Sequence, residues 1–296
     1  MNVIKLKQHN AGVALIQVLF IASILSLMAL HFTLTSRQQV TIAASLQDKV
    51  QAELQLLDWK NELLFTLLTQ PATGTIGADT IAAESIQQNR ISQHWNFHGN
   101  TFSPVDNVQI RLQDIEGLIS ISTAGRQAEL QKLLRYLQLP EAASARIISE
   151  LAAQQDLPST FYLSNQLGRG REMFLQSLSE LQQFPELNAG NYQALAGLTT
   201  NLQLVRFNPL HAPDGVLRAL LLPEIANEVI RLRNAKALTA AGYIALVSQY
   251  DDERYSFVRS QRLIIELEVS HGSAVAKQRF ICYIRPQSKF PLIWLD

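Results

Sequence analysis

The chain has 296 residues, with 25 lysines and arginines against 25 aspartates and glutamates and a formal net charge of zero. That balance excludes the broad cationic footprint that nucleic-acid binding usually needs, while the length admits two folded units. One cysteine, Cys282, excludes an intramolecular disulfide and leaves an oxidising compartment open.

Residues 11–36 contain no Asp, Glu, Lys or Arg. Their apolar centre, Val13 to Leu34, exceeds the ~20 helical residues that cross a bilayer. Lys5 and Lys7 precede it, which places the N-terminus in the cytoplasm and the bulk of the chain outside. A cleaved secretory signal would have an apolar core of only ~7–15 residues and small residues after it, whereas Leu30-His31-Phe32 stands there. Further on, Ile42, Leu46, Val50, Leu54, Leu57, Leu64 and Leu68 recur at spacings of three, four and seven, with Asp48, Lys49, Glu53 and Lys60 on other faces. This pattern predicts an amphipathic helix continuous with the spanning one, ended by Pro71 and Gly74. At ~1.5 Å per residue, Val13 to Thr69 makes a helix on the order of 85 Å long. Its first half lies in the membrane and its second half packs on a globular head.

From Arg90 to Phe97, Ile91, Gln93, Trp95 and Phe97 alternate as in a strand, Gly99-Asn100 reads as a turn, and Val108, Ile110 and Leu112 alternate again. His94 and His98 would lie ~13 Å apart on such a strand, too far to share one metal ion, and read as surface histidines. From Asp114 to Ala241 the pattern is helical: Leu130, Leu133, Leu134 and Leu137, then Ala145 to Ala152, then Leu175, Leu178 and Leu181, then Tyr192, Leu195 and Leu198. Val216 to Leu221 and Ile225 to Leu232 form a hairpin across Pro223, so this stretch reads as a compact helical insertion. A weak internal repeat relates the run from Ile119 to the run from Val205. Strands return with Leu263, Ile265, Leu267 and Val269, whose partners Glu266 and Glu268 face solvent. His271-Gly272-Ser273 turns the chain, Lys277 to Arg285 answers, and Phe290 to Trp294 closes the sheet. Cys282, within Phe280 to Ile284, reads as an inert core thiol.

Chemistry-bearing motifs are weak. No Gly-x-Ser-x-Gly, phosphate loop, His-Glu-x-x-His or cysteine cluster occurs, and Gly168-Arg-Gly170 lacks a third glycine. The helical hairpin could suggest a DNA-binding module, but its turn, Leu222-Pro223-Glu224, has no glycine and carries a carboxylate where a phosphate would sit. The sequence therefore predicts no enzyme and no nucleic-acid partner.

The basic leader, Gly12, the apolar helix and its amphipathic extension together resemble the type IV pilin and pseudopilin class. Three further runs, in the same order, resemble the minor pseudopilin K family of type II secretion: Asp114 to Ala124, Gly170 to Leu181, and Asn208 to Leu220. The first resembles that family's Asp-x-x-Gly-x-Ile-Asn-x-Asn-Thr signature, with Ser120 and Ser122 in place of the asparagines. The resemblance implies an α+β fold: a pilin-like long N-terminal helix on an antiparallel sheet, with a large inserted helical module. It divides the chain into a leader (1–12), a membrane helix (13–34), the amphipathic helix and first head strands (35–113), the inserted module (114–241) and the last head strands (242–296).

It also implies that a prepilin peptidase cuts between Gly12 and Val13 and methylates the new N-terminus. Most members carry a glutamate at the position of Gln17. A carboxylate buried in the bilayer is costly unless paired, here with a neighbouring subunit's N-terminal amine. A subunit with glutamine cannot offer that pair, which suits a filament tip. The implied partners are the minor pseudopilins I and J, met through the face Ile42, Leu46, Val50, Leu54 and Leu57. A calcium site is associated with the family, yet Glu150 to Asp156 is poor in carboxylates. The remaining acidic cluster, Asp251, Asp252 and Glu253, is a weak ligand set. A minor pilin of a related type IV pilus shares the N-terminus, and a single-pass membrane receptor would retain residues 1–12.

Overall fold

The computed structural model describes residues 10–70, 89–122, 126–155, 175–247 and 253–295. The chain forms two units, residues 1–55 with 269–276 and residues 56–268 with 277–296.

In the first unit, helix α1 (Asn10–Thr69) begins and runs without interruption through the apolar segment. It is long and apolar enough to cross a membrane. Its threonines carry their own partners: Thr33, Thr35 and Thr41 donate their hydroxyls to the carbonyls of Ala29, His31 and Arg37, the arrangement that makes a hydroxyl tolerable on a helix in an apolar medium. Lower down, Asp48 receives the backbone N–H and the hydroxyl of Ser273 at 2.9 and 3.0 Å. These hydrogen bonds, the backbone one first, hold its carboxyl below the usual range. Gly272 turns the chain there with φ +53°, and a Cβ on it would lie 2.3 Å from the Asp48 carboxylate. The turn thus favours glycine for its backbone conformation, and a Cβ there would displace the Asp48 carboxylate.

In the second unit, the last turns of α1 bury Trp59, Leu63, Leu64 and Leu67. Lys60 lies over the rings of Phe280 and Trp294, and Arg90 stacks on Trp59 while pairing with Glu62. The sheet has the order β1-β2-β5-β6-β7, from β1 (His98–Val105), β2 (Val108–Asp114), β5 (Arg262–His271), β6 (Ala274–Ile284) and β7 (Leu292–Trp294). Pairs β1–β2 and β6–β7 are antiparallel. Val108, Ile110 and Leu112 on β2 and Leu263, Ile265 and Leu267 on β5 are all buried, as the alternation predicts. Cys282 is buried on β6, and desolvation pushes its thiol up to about 12.

Among the described residues between β2 and β5 the chain is mainly helical: α2 (Gln127–Tyr136), α3 (Glu141–Gln155), α4 (Ala189–Leu198), α5 (Asp214–Leu220), α6 (Pro223–Asn234) and α7 (Ala240–Val247). Two-residue strands β3 (Ile119–Ser120) and β4 (Thr199–Thr200) pair in parallel. One buried cluster unites Ile119, Leu133, Ile147, Phe184, Val216 and Val229, and takes no residue from the five-stranded sheet. The inserted part therefore has a core of its own. Pro223 sits in the first turn of α6, where its missing N–H costs nothing.

Several local expectations are corrected. Residues 90–97 form no strand: His94 and Trp95 both donate backbone N–H groups to the Ile91 carbonyl, and Asn89 Oδ1 accepts from Ile91 N. Ile91 and Trp95 are buried, but a spacing of four fits a helical turn as well as a strand. Gly99-Asn100 is not the hairpin turn. Gly99 lies inside β1 with φ +81°, and the turn falls at Asp106-Asn107. Leu178 to Gln183 is a 3-10 turn, opened by a capping box between Ser177 and Glu180. The run at Ile119 forms the short strand β3, paired with Thr199-Thr200. Leu64 is buried, as expected of a helix whose second half packs on a head, whereas Leu46 and Leu57 of the same stripe are exposed. Glu266 is not simply solvated, since Arg111 and Arg279 bracket it and Lys277 meets Glu268.

Candidate functional site

Two places in the molecule carry unusual physical chemistry. The first is on α1. Ile42, Leu46, Val50 and Leu54 of the first unit are exposed, Leu46 by 61% and Leu54 by 52%. In the second unit Leu57 and Phe65 are exposed while Trp59, Leu63 and Leu67 are buried. There the helix has two apolar faces, and folding covers one of them. Large aliphatic side chains left in water at helical spacing are unfavourable by roughly 1.5–3 kcal/mol each relative to full burial, which marks a contact surface. The sequence put Ile42, Leu46, Val50, Leu54, Leu57, Leu64 and Leu68 in one stripe and did not single out Leu63 or Leu67. The structure separates the buried face, which Leu64 joins, from the exposed one.

The second place is a buried polar centre at the end of β2. Asp114 is fully buried and accepts four hydrogen bonds: from Glu116 N and Ser260 Oγ on Oδ1, and from Ser260 N and His211 Nδ1 on Oδ2. Those to His211 and Ser260 N measure 2.7 and 2.9 Å. Asn208 caps the short turn Pro209–His211 through its Oδ1 and donates its backbone N–H to the Glu116 carbonyl. Gln113 Nε2 donates to the carbonyls of Asp114 and His211. Gly117 completes the junction, because a Cβ there would lie 2.2 Å from the His211 carbonyl oxygen.

Asp114, His211 and Ser260 are the residue types of a hydrolytic triad, but their geometry differs. The serine hydroxyl is bound to the carboxylate and not to the imidazole, so the serine-to-histidine proton transfer of a triad is not set up. The arrangement locks two segments together. Asp114 and Gly117 belong to one signature run singled out in the sequence, and Asn208 and His211 to another. The structure brings these runs into contact. Ser260 carried no sequence signal.

His98 is not a surface histidine. It is half-buried, and desolvation, with Arg233 and His211 nearby, pushes its pKa down to about 3. It is therefore neutral in the fold and protonates near its ordinary value only when the chain unfolds. Acid then favours the unfolded state. We expect the chain to lose about 2 kcal/mol of stability between pH 7 and pH 5 from this group. Urea unfolding of the His98→Gln variant should show a correspondingly flatter pH profile. An unchanged slope would mean that other groups set the acid sensitivity.

The other sequence-predicted residues lie apart. Gly12 and Val13 fall in the first turns of α1, and Gln17 is exposed on it. Glu253 is exposed, while Asp251 and Asp252 lie outside the described residues. Among the described residues no group of three His, Cys, Asp or Glu side chains is placed to hold a metal ion.

No protein-family model matches the chain. No curated protein matches it either. Among solved structures it is similar to a chain in the crystal structure of the GspK-GspI-GspJ complex of the type 2 secretion system of enterotoxigenic Escherichia coli. Identity is 16%, the match covers 83% of this chain and 96% of that one, and the TM-score is 0.46.

Proposed function

We propose that this chain is a minor pseudopilin of a type II secretion system, acting at the tip of the filament through assembly with other minor pseudopilins. The observation that carries the reading is the second apolar face of α1, exposed along a helix that continues from the membrane segment. The ordered sequence runs support it further, since two of them meet at the Asp114 junction. In this reading a prepilin peptidase cuts between Gly12 and Val13, the helix anchors the chain in the inner membrane with its bulk in the periplasm, and Ile42, Leu46, Val50, Leu54 and Leu57 pack on the helices of partners equivalent to components I and J. Gln17, lacking a carboxylate, disfavours a repeating position. The inserted module blocks further addition above it.

Mass spectrometry of the chain purified from its native membrane should find a methylated Val13 at the N-terminus. An intact Met1 in the presence of the peptidase would instead point to a membrane receptor. Leu46→Asp with Leu54→Asp should leave folding within about 0.5 kcal/mol, because both side chains are exposed. The same pair should weaken partner association roughly hundredfold. Undiminished co-purification of partners would remove the helix face from the assembly.

A further inference from the structure

A cavity of about 380 Å³ opens where the turn before β1 meets the end of α6, and the assembly reading leaves it without a role. Its basic lining is His94, His98, His211, Arg233 and Lys236. Asn96, Asn100 and Asn234 add amides, and Trp95, Phe97, Leu210 and Leu238 supply apolar surface. No Asp or Glu lines it among the described residues. Two of the lining residues already hold carboxylates, His211 that of Asp114 and Arg233 that of Asp214. A further cation, the Arg259 guanidinium, lies over the Phe97 ring at 4.9 Å.

Lys236 stands at this cavity with no ion-pair partner among the described residues. Its Nζ donates to the Gln93 carbonyl at 3.1 Å, a bond that fixes the ammonium at the cavity without neutralising it. The chain as a whole has no net charge, so this local excess of positive charge is a property of the site. Although three histidines line the cavity, a metal ion is the wrong ligand. The unpaired ammonium of Lys236 repels it, and no group of three ligating side chains converges among the described residues. An anion answers both the charge and the donors: an ammonium, a guanidinium, imidazole N–H groups and amides all donate, and a carboxylate accepts from several at once. The apolar surface then has a role for whatever carries that carboxylate.

We propose that this cavity binds a carboxylate borne on a short apolar or aromatic stem, with Lys236 as its main counter-charge and His98 as a donor. The carboxylate has two possible sources, a free organic acid or a side chain of another protein subunit, and the chemistry of the site is the same for both.

The test uses the full chain in detergent micelles, with benzoate as the probe and neutral benzamide as its control, at constant ionic strength. Benzoate should raise the melting temperature and benzamide should not. Lys236→Gln, an exposed change that leaves the core untouched, should weaken benzoate binding about fivefold, and His98→Gln should weaken it as well. Arg231→Gln removes a cation of α6 that does not line the cavity, and should leave binding as it is. Equal responses to benzoate and benzamide, or an unchanged affinity in Lys236→Gln, would overturn the proposal. The source is read separately by carbodiimide coupling in native membranes. An amide joining Lys236 to another chain identifies a protein carboxylate. Benzoate binding without such an adduct identifies a free acid.

Discussion

Asp114→Ala is expected to destabilise the folded chain by about 3–5 kcal/mol, a large share of the stability of most domains. The carboxylate is fully buried and accepts from Glu116, His211 and twice from Ser260. Its removal leaves all these donors facing a void, and each buried unsatisfied donor costs about 1–3 kcal/mol. Asp114→Asn preserves the shape but turns one acceptor oxygen into a donating NH2. With N–H or O–H donors on both sides of the carboxylate, either orientation of the amide sets donor against donor. Asparagine should therefore rescue little. Ser260→Ala removes one hydroxyl and keeps the backbone N–H on Oδ2, so its cost should be nearer 1 kcal/mol. Urea titrations of the three variants in micelles will rank them, and an Asp114→Ala protein within 1 kcal/mol of the parent would show that water replaces the lost acceptor.

Much of this architecture was legible in the residues. The charge-free segment and the stripe beyond it specified one long helix, and the period-two runs at Val108 and Leu263 specified the central strands. Shorter signals failed for identifiable reasons. Ile91 and Trp95 satisfy both periods, and the backbone bonds at Asn89 and Ile91 decided for a turn. Gly99 looked like turn chemistry, but its positive φ serves an irregularity in an edge strand, where the register shifts between His98 and Thr101. Two faces of α1 merged into one pattern because apolar residues at helical spacing report that a side chain is to be covered, not by what. The buried carboxylate was half legible. Asp114 and Gly117 stood in one run and His211 in another, but contact between residues 97 positions apart is a tertiary fact. Ser260 offers only a hydroxyl and its backbone, and nothing distinguishes it from any other serine in the chain.

Gly117→Ala is the second large effect, and it isolates space from backbone conformation. Gly117 does not adopt a positive φ, so alanine suits its backbone. The obstacle is the His211 carbonyl, 2.2 Å from the added Cβ, with its carbon at 2.5 Å and the next amide nitrogen at 2.9 Å. These are backbone atoms and cannot rotate away as a side-chain tip would. Retreat of the His211 carbonyl would also break its bond from Gln113 Nε2 and strain the bond from His211 to Asp114. A cost of about 3 kcal/mol or more is expected. Gly197→Ala provides the comparison within the same helical module. No atom lies within 4 Å of its added Cβ, it sits on α4, and alanine there should stabilise by about 0.5–1 kcal/mol. Opposite signs for one substitution at two glycines would show that the junction fails through close approach and not through lost flexibility. The Asp114→Ala, Gly117→Ala double variant then carries a further expectation. Either change alone parts the same two segments, so the second has little left to break and the double cost should fall well short of the sum. Full additivity would mean that Asp114 and Gly117 hold separate contacts.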